Sequence, residues 1–331
     1  MKRVIAFFLC MGMLFGTGSL AEITVTDAAG RRVVLPEKAE RIVSCYYIST
    51  SALLALGCQE NLVGIEKKGE TRLLYKLAAP DLLKLPAVGS GKEVNLETLL
   101  ALNPDVVVLP LKLQDTAERL EEFGIPAVLV YPEDQEGLED CIHLLGTITG
   151  REEDAENLLS RCEALREKLR SVQTDHEKVT VYMASENDPL ITYPAGLYQD
   201  TLISQAGGEN VAGVFTGTAK VTVDAEQLLL WNPEVIVIVS GAGYGAEAFT
   251  ENEQFAALQA VQTGQVYVMP EGMESWDYPT PSSVLGAAFL CYCLHPERYT
   301  AQMLLEEAQS FYRDVYGVET DKQTLGLEEL F

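Results

Sequence analysis

Two stretches of the chain spell the same helix-to-strand unit, and that repetition limits the folds open to it. Asn95–Leu109 (NLETLLALNPDVVVL) and Asp224–Ile238 (DAEQLLLWNPEVIVI) align without a gap. The alignment matches Glu97 with Glu226, Leu99 with Leu228, Leu100 with Leu229, Asn103 with Asn232, Pro104 with Pro233, Val106 with Val235 and Val108 with Val237. Apolar matches follow from any shared pattern. A shared Glu and a shared Asn-Pro in the same register do not, and they point to two halves of like construction.

Each repeat has a mechanical reading. Asn95 and Asp224 are strong helix N-caps. Leu96, Leu99 and Leu100 form an inward face at helical spacing, as do Ala225, Leu228 and Leu229. The Asn-Pro pair then ends the helix, because a residue before proline is pushed toward extended backbone. The β-branched runs that follow, Val106–Val108 and Val235–Ile238, are uninterrupted by polar residues. Such runs belong to strands covered on both faces, as in parallel α/β sheets.

The same alternation continues on both sides. Strands are expected near Arg41–Ser44, Leu62–Ile65, Val106–Leu109 and Ala127–Val130, then near Val179–Ala184, Val235–Val239 and Val266–Met269. DAAGRR at Asp27–Arg32 reads as a hairpin turn. Arg151–Val172 carries apolar residues at 155, 158, 159, 162, 165, 169 and 172 with no glycine or proline. This is one amphipathic helix of roughly 33 Å at 1.5 Å per residue. The expected fold is α/β: two Rossmann-like lobes with small, mostly parallel sheets, joined by one long rigid helix, with a ligand cleft between them. The divisions are a leader at 1–21, an N-terminal lobe at 22–148, the connecting helix at 149–175 and a C-terminal lobe at 176–331.

Lys2 and Arg3, an apolar run from Val4 to Phe15 and Ser19-Leu20-Ala21 have the layout of a secretory signal peptide. The exported protein, periplasmic or at the cell surface, is expected to be soluble after cleavage near Ala21. Its formal net charge is −25 at pH 7 and grows more negative once the leader's two cations leave. A chain this acidic is repelled by nucleic acid and by anionic membrane. Cys45, Cys58, Cys141, Cys162, Cys291 and Cys293 remain after cleavage, spaced without a disulfide framework; buried thiols are at least as good a reading as disulfides.

The catalytic motifs that would mark an exported hydrolase are missing: there is no GxSxG, no HExxH and no Ser/His/Asp set. GSGK at Gly89–Lys92 has Glu93 where a P-loop needs Ser or Thr, and GAGYGA at Gly241–Ala246 lacks dinucleotide spacing. No enzymatic activity is expected. A sensor or adhesion module has no positive support. His143, His176 and His295 stand apart and outside the cleft loops, which argues against a bare transition-metal site.

The motifs VNLETLLALNPDVVVL, VTVDAEQLLLWNPEVIVIVS and ISQAGGENVAG, with the long central helix, make the chain resemble the class III, helical-backbone binding proteins of ABC importers. The resemblance covers the mature chain nearly end to end. It implies a receptor for iron-siderophore, haem, cobalamin or a molybdate-type oxyanion, with ferric siderophore the leading cargo. It implies no intrinsic cofactor, a monomer, and partners in an ABC permease dimer with its ATPase. In that family an acidic residue on each lobe docks on permease arginines, and the matching positions are Glu97 and Glu226. Both fall in a first helical turn, off the leucine face; complementing the helix dipole is the modest alternative role.

Ligands of open α/β sheets sit beyond the carboxyl ends of the strands. The chain has few cations, yet several fall in the loops there, and aromatic residues gather beside them. The candidate ligand-binding residues are Tyr46, Tyr47, Arg72, Tyr75, Lys92, Lys112, Tyr198, Lys220, Tyr244, Trp276 and Tyr278. Cations beside aromatic faces suit a bulky, anionic, conjugated chelate, and Tyr46, Tyr47 or Tyr75 could ligate a haem iron.

Overall fold

In the computed structural model, residues 22–173 and 178–331 are described; the expected leader and His176 lie outside them. An antiparallel hairpin of β1 (Ile23–Thr26) and β2 (Arg32–Leu35) turns at Asp27 and Gly30. The first lobe then builds β3 (Ile42–Ser44), β4 (Leu62–Glu66), β5 (Ala87–Ser90), β6 (Glu93–Val94), β7 (Val106–Pro110) and β8 (Ala127–Val130). They form one sheet in the order β6-β5-β4-β3-β7-β8, parallel except for the β5–β6 pair. The GSGK stretch is the turn of that antiparallel pair, with Gly89 opposite Val94, so it opens no helix and cradles no phosphate.

The second lobe contains β9 (Thr180–Ala184), β10 (Ile191–Thr192), β11 (Glu209–Asn210), β12 (Val221–Thr222), β13 (Val235–Ile238) and β14 (Val266–Val268). Its separate sheet runs β12-β10-β9-β13-β14, with β11 also pairing β9. The β9–β13, β13–β14 and β11–β9 pairs are parallel, while β10 pairs antiparallel with β9 and β12.

The uninterrupted apolar runs are explained by side. Val106 and Val108 of β7 join a core shared by both lobes, while Val107 and Leu109 join a separate cluster on the sheet's other face. Likewise Val235 and Val237 of β13 enter the shared core, and Ile236 and Ile238 enter a cluster of the second lobe alone. With successive side chains pointing to opposite faces, a strand covered twice has no place for a polar residue.

The connecting helix, Glu152–Val172, is not a free-standing strut. Ala155, Leu158, Cys162, Leu165 and Leu169 bury into the shared core. The helix Gln135–Thr149 of the first lobe and Val284–Leu294 of the second both pack against it. The two lobes therefore rest on a common apolar spine, and this resists wide hinging.

Backbone geometry corrects one expectation. Asn103 and Asn232 are not extended; they hold φ +45° and +44°, in the left-handed region. Asparagine tolerates that conformation at a helix C-terminus, and the following proline prevents further helix. Lys68 is the third non-glycine residue with positive φ among those described. The six cysteines among the described residues are buried free thiols, and burial pushes those of Cys141 and Cys162 up to about 12 and about 11.

Candidate functional site

The wall contributed by the first lobe is built at the carboxyl ends of β3 and β4. Tyr46 and Tyr47 stand where the chain leaves β3 and enters the helix Tyr47–Ala55, both half-buried. After β4, the left-handed Lys68 and a tight turn at Gly69–Thr71 reverse the chain. That reversal lays the Arg72 guanidinium over the Tyr47 ring, 3.9 Å from its centre.

Arg72 is held from beneath by Glu66, the last residue of β4. Its Nε is 3.4 Å from Glu66 Oε1, without hydrogen-bond geometry. Glu66 is itself buried and accepts from Thr50 Oγ1 at 2.7 Å and Tyr75 Oη at 2.8 Å. Thr50 Oγ1 in turn lies 2.8 Å from Ser44 Oγ, close enough to accept from it. Among the described residues, nothing accepts a hydrogen bond from the Arg72 guanidinium. Its planar fork of donors is anchored on one side and open on the other, which is the geometry that receives an anion.

The opposite wall is the segment Glu271–Pro281. Tyr278 is 41 % exposed and meets Tyr47 edge-on, ring centres 6.0 Å apart, so the two lobes touch through aromatic rings. Glu274 bridges them more deeply, accepting from Ser51 of the first lobe and Ser282 of the second, each at 2.7 Å. Burial raises the Glu274 carboxyl above its ordinary value. Asp277 is buried beside Ser240, whose Oγ donates to it, and desolvation carries its carboxyl up to about 6. Farther along, Lys220 pairs with Glu186, which also accepts from Tyr193 Oη at 3.1 Å. Burial raises the Tyr46 and Tyr47 phenols well above their usual range.

A cavity of about 220 Å³ spans the lobes between Thr71–Tyr75 and Glu271–Ser275, with Arg72 on its wall. A larger one, about 650 Å³, lies wholly within the first lobe, between the hairpin, β8 and the helix Gln135–Thr149. Size does not decide the site here: the smaller cavity has the Arg72 guanidinium and a wall from each lobe.

The structure gathers Tyr46, Tyr47, Arg72 and Tyr278 of the expected residues. Tyr46 also lies over Gly91 at the tip of the β5–β6 hairpin, next to the exposed Lys92. Lys112 is exposed in the turn after β7. Lys220 is committed to Glu186, and Tyr244 Oη donates to the Ser185 carbonyl at 2.5 Å.

Three expected residues are in the core instead. Tyr75 is fully buried and donates to Glu66. Tyr198 bonds Ser283 at 2.6 Å. Trp276 donates through Nε1 to Tyr312 Oη at 2.9 Å. Each buries a large apolar ring and satisfies its polar atom inside. Glu66, Glu274 and Asp277 were not singled out in the sequence, because nothing in a loop's composition tells a buried carboxylate from a solvated one.

His143 lies 3.8 Å from Glu156, and burial lowers the imidazole of His295. Among the described residues, no group of three or more His, Cys, Asp or Glu side chains is placed to hold a metal ion.

Two α/β lobes on a shared spine, facing each other across a cleft with the Arg72 guanidinium on its wall, define a solute-binding protein. The periplasmic binding protein family matches residues 42–272, and the chain belongs to that family. Its relatives are binding proteins for transporters, so the chain is a receptor and not an enzyme. The molybdate-binding protein MolA of Haemophilus influenzae is 27 % identical, covering 96 % of this chain and 98 % of its own. The molybdate-bound structure of that protein superposes with a TM-score of 0.76 over 90 % of this chain and 99 % of its own, at 25 % identity. A periplasmic solute-binding protein from Veillonella parvula reaches a TM-score of 0.80 at 24 % identity, over 93 % and 96 % of the two chains. A vitamin B12-binding protein from Vibrio campbellii is 27 % identical over 60 % of this chain and 70 % of its own. Among the described residues, no helix is long and apolar enough to cross a membrane.

Proposed function

We propose that this binding protein captures a small oxyanion of the molybdate class between its lobes and delivers it to the permease of an ABC importer. The observation that carries the reading is the Arg72 guanidinium, stacked on Tyr47, backed by Glu66 and without a hydrogen-bond acceptor among the described residues. A tetrahedral oxyanion accepts two parallel N–H bonds from such a fork. The cavity of about 220 Å³ suits a compact ligand better than a corrinoid. The likeness to MolA over nearly the whole chain supports the same class.

This reading replaces ferric siderophore as the leading cargo. The chelate remains the second reading, favoured by the aromatic group Tyr46, Tyr47 and Tyr278. Haem held by a tyrosine axial ligand is disfavoured: Tyr75 Oη is spent on Glu66, and phenols raised by burial resist becoming the phenolate that iron binds. Delivery is assigned to Glu97 and Glu226, exposed in the first turns of their helices. Calorimetric titration with molybdate and with a ferric catecholate separates the two readings. Heat with molybdate alone supports the oxyanion; heat with the chelate, and none with molybdate, overturns it.

A further inference from the structure

Resting on the docking role of Glu226, we infer that the C-terminal lobe seats on the permease through an apolar anchor beside that glutamate which the N-terminal lobe lacks. Leu230 follows Glu226 by four residues on the helix Ala225–Trp231, so both lie on one helical face. Leu230 is 78 % exposed and Val214 73 %. Phe215, also exposed, meets Trp231 edge-on with ring centres 6.0 Å apart, which joins the Val211–Val214 turn to the helix end. A groove of about 550 Å³ runs along Val214 and Trp231, with Asp200, Glu209 and a single cation, Lys178, on its wall.

The duplication supplies the control. The position equivalent to Leu230 is Ala101, and that of Trp231 is Leu102, which packs into the core of its own lobe. Both helices end at a left-handed asparagine and feed the same kind of strand. Trp231 is half-buried against its lobe's own core, as Leu102 is; folding asks the same of the two helices, so the exposed Leu230 is not there for the fold. An exposed apolar patch rimmed by carboxylates fits a partner that is apolar and basic together. A second copy of this chain, with a net charge of −25, fits poorly. Four side chains also fall far short of the roughly 20 residues a side that a stable dimer buries.

The two contacts should then respond differently to salt. The Glu97 contact, purely electrostatic, is screened within about 10 Å at 0.1 M salt, whereas the apolar anchor is not. The test measures binding of the full mature chain to its permease–ATPase complex in neutral-lipid nanodiscs, with and without molybdate. Leu230→Ser with Val214→Ser should weaken docking about tenfold, with a larger loss at high salt, and leave molybdate binding and the monomeric state unchanged. Ala101→Ser should change nothing, and Leu230→Ala should reproduce the direction of the loss. Unchanged docking in the Leu230/Val214 variant, while Glu97→Ala with Glu226→Ala abolishes it, overturns the anchor and leaves the docking role standing. No loss from either pair overturns both. A dimer of the unsubstituted chain that the serine variant dissolves assigns the patch to a second copy and overturns the inference.

Discussion

Asp105 and Glu234, the residues that follow the two Asn-Pro pairs, each clip the start of the neighbouring strand. Asp105 Oδ2 accepts from the backbone N–H of Glu40 and Arg41 at 3.0 and 2.8 Å, just before β3. Glu234 Oε2 accepts from the Thr180 N–H at 2.9 Å and its hydroxyl at 3.1 Å, at the start of β9. The two acids differ in length yet do the same work, so the duplication extends past its identical residues into backbone pairing.

The asparagines of the same unit make a direct stability prediction. Asn103→Ala should cost about 1 kcal/mol, because a Cβ-bearing residue other than Asn or Asp is strained in the left-handed region. Asn103→Gly should be near neutral. Asn232→Gly should cost more, since Asn232 Oδ1 also accepts from the Gln259 N–H at 2.8 Å. Urea unfolding of the three variants gives the ranking.

Asp277 sets a pH dependence of the ligand-free protein. Its folded carboxyl titrates at about 6 against an ordinary 3.8, so the folded state holds the proton more tightly than the unfolded chain. Stability linked to this group is greatest below pH 4 and falls as pH rises through 6, by about 3 kcal/mol in all. Glu274, also raised, acts in the same direction. Asp277→Asn should be more stable than the unsubstituted protein at pH 7.5 and flatten the profile between pH 4 and 6. Melting temperatures across pH 4–8 measure it.

Much of the architecture was legible in the sequence, for a physical reason. Strands covered on both faces must be apolar throughout, so β3, β7, β8, β9 and β13 announce themselves. The two-residue β10, β11 and β12 are too short to show any period, and they were missed. Site residues are harder to read. Tyr47, Arg72 and Tyr278 were reached by placing loops at strand ends. That rule cannot tell a ring facing the cleft from one facing inward, and Tyr75, Tyr198 and Trp276 face inward. Glu66 leaves no trace in the sequence at all; its role appears only when Thr50, Tyr75 and Arg72 close around it.

That role can be tested through Tyr75. Tyr75→Phe removes one of two hydroxyl donors to a buried carboxylate and should cost roughly 1–3 kcal/mol of stability. Arg72, no longer backed by a fixed Glu66, should bind molybdate more weakly, while Tyr198→Phe, remote from Arg72, should leave affinity alone. Calorimetry beside thermal melts separates the two effects.

Delivery is separable from capture. Glu97→Ala with Glu226→Ala should leave molybdate affinity near normal and abolish transporter-dependent uptake. Each carboxylate is exposed and takes no part in the cleft, so loss of affinity in the double variant would speak against the assignment. Uptake that survives intact would end it.

The most direct test of capture by Arg72 is a calorimetric comparison of the mature chain with its Arg72→Gln variant, titrated with molybdate. The account predicts binding in the unsubstituted protein and a loss of about 100-fold in the variant, the size expected for a charged two-pronged contact, with circular dichroism unchanged. Equal affinity in the two proteins would contradict it.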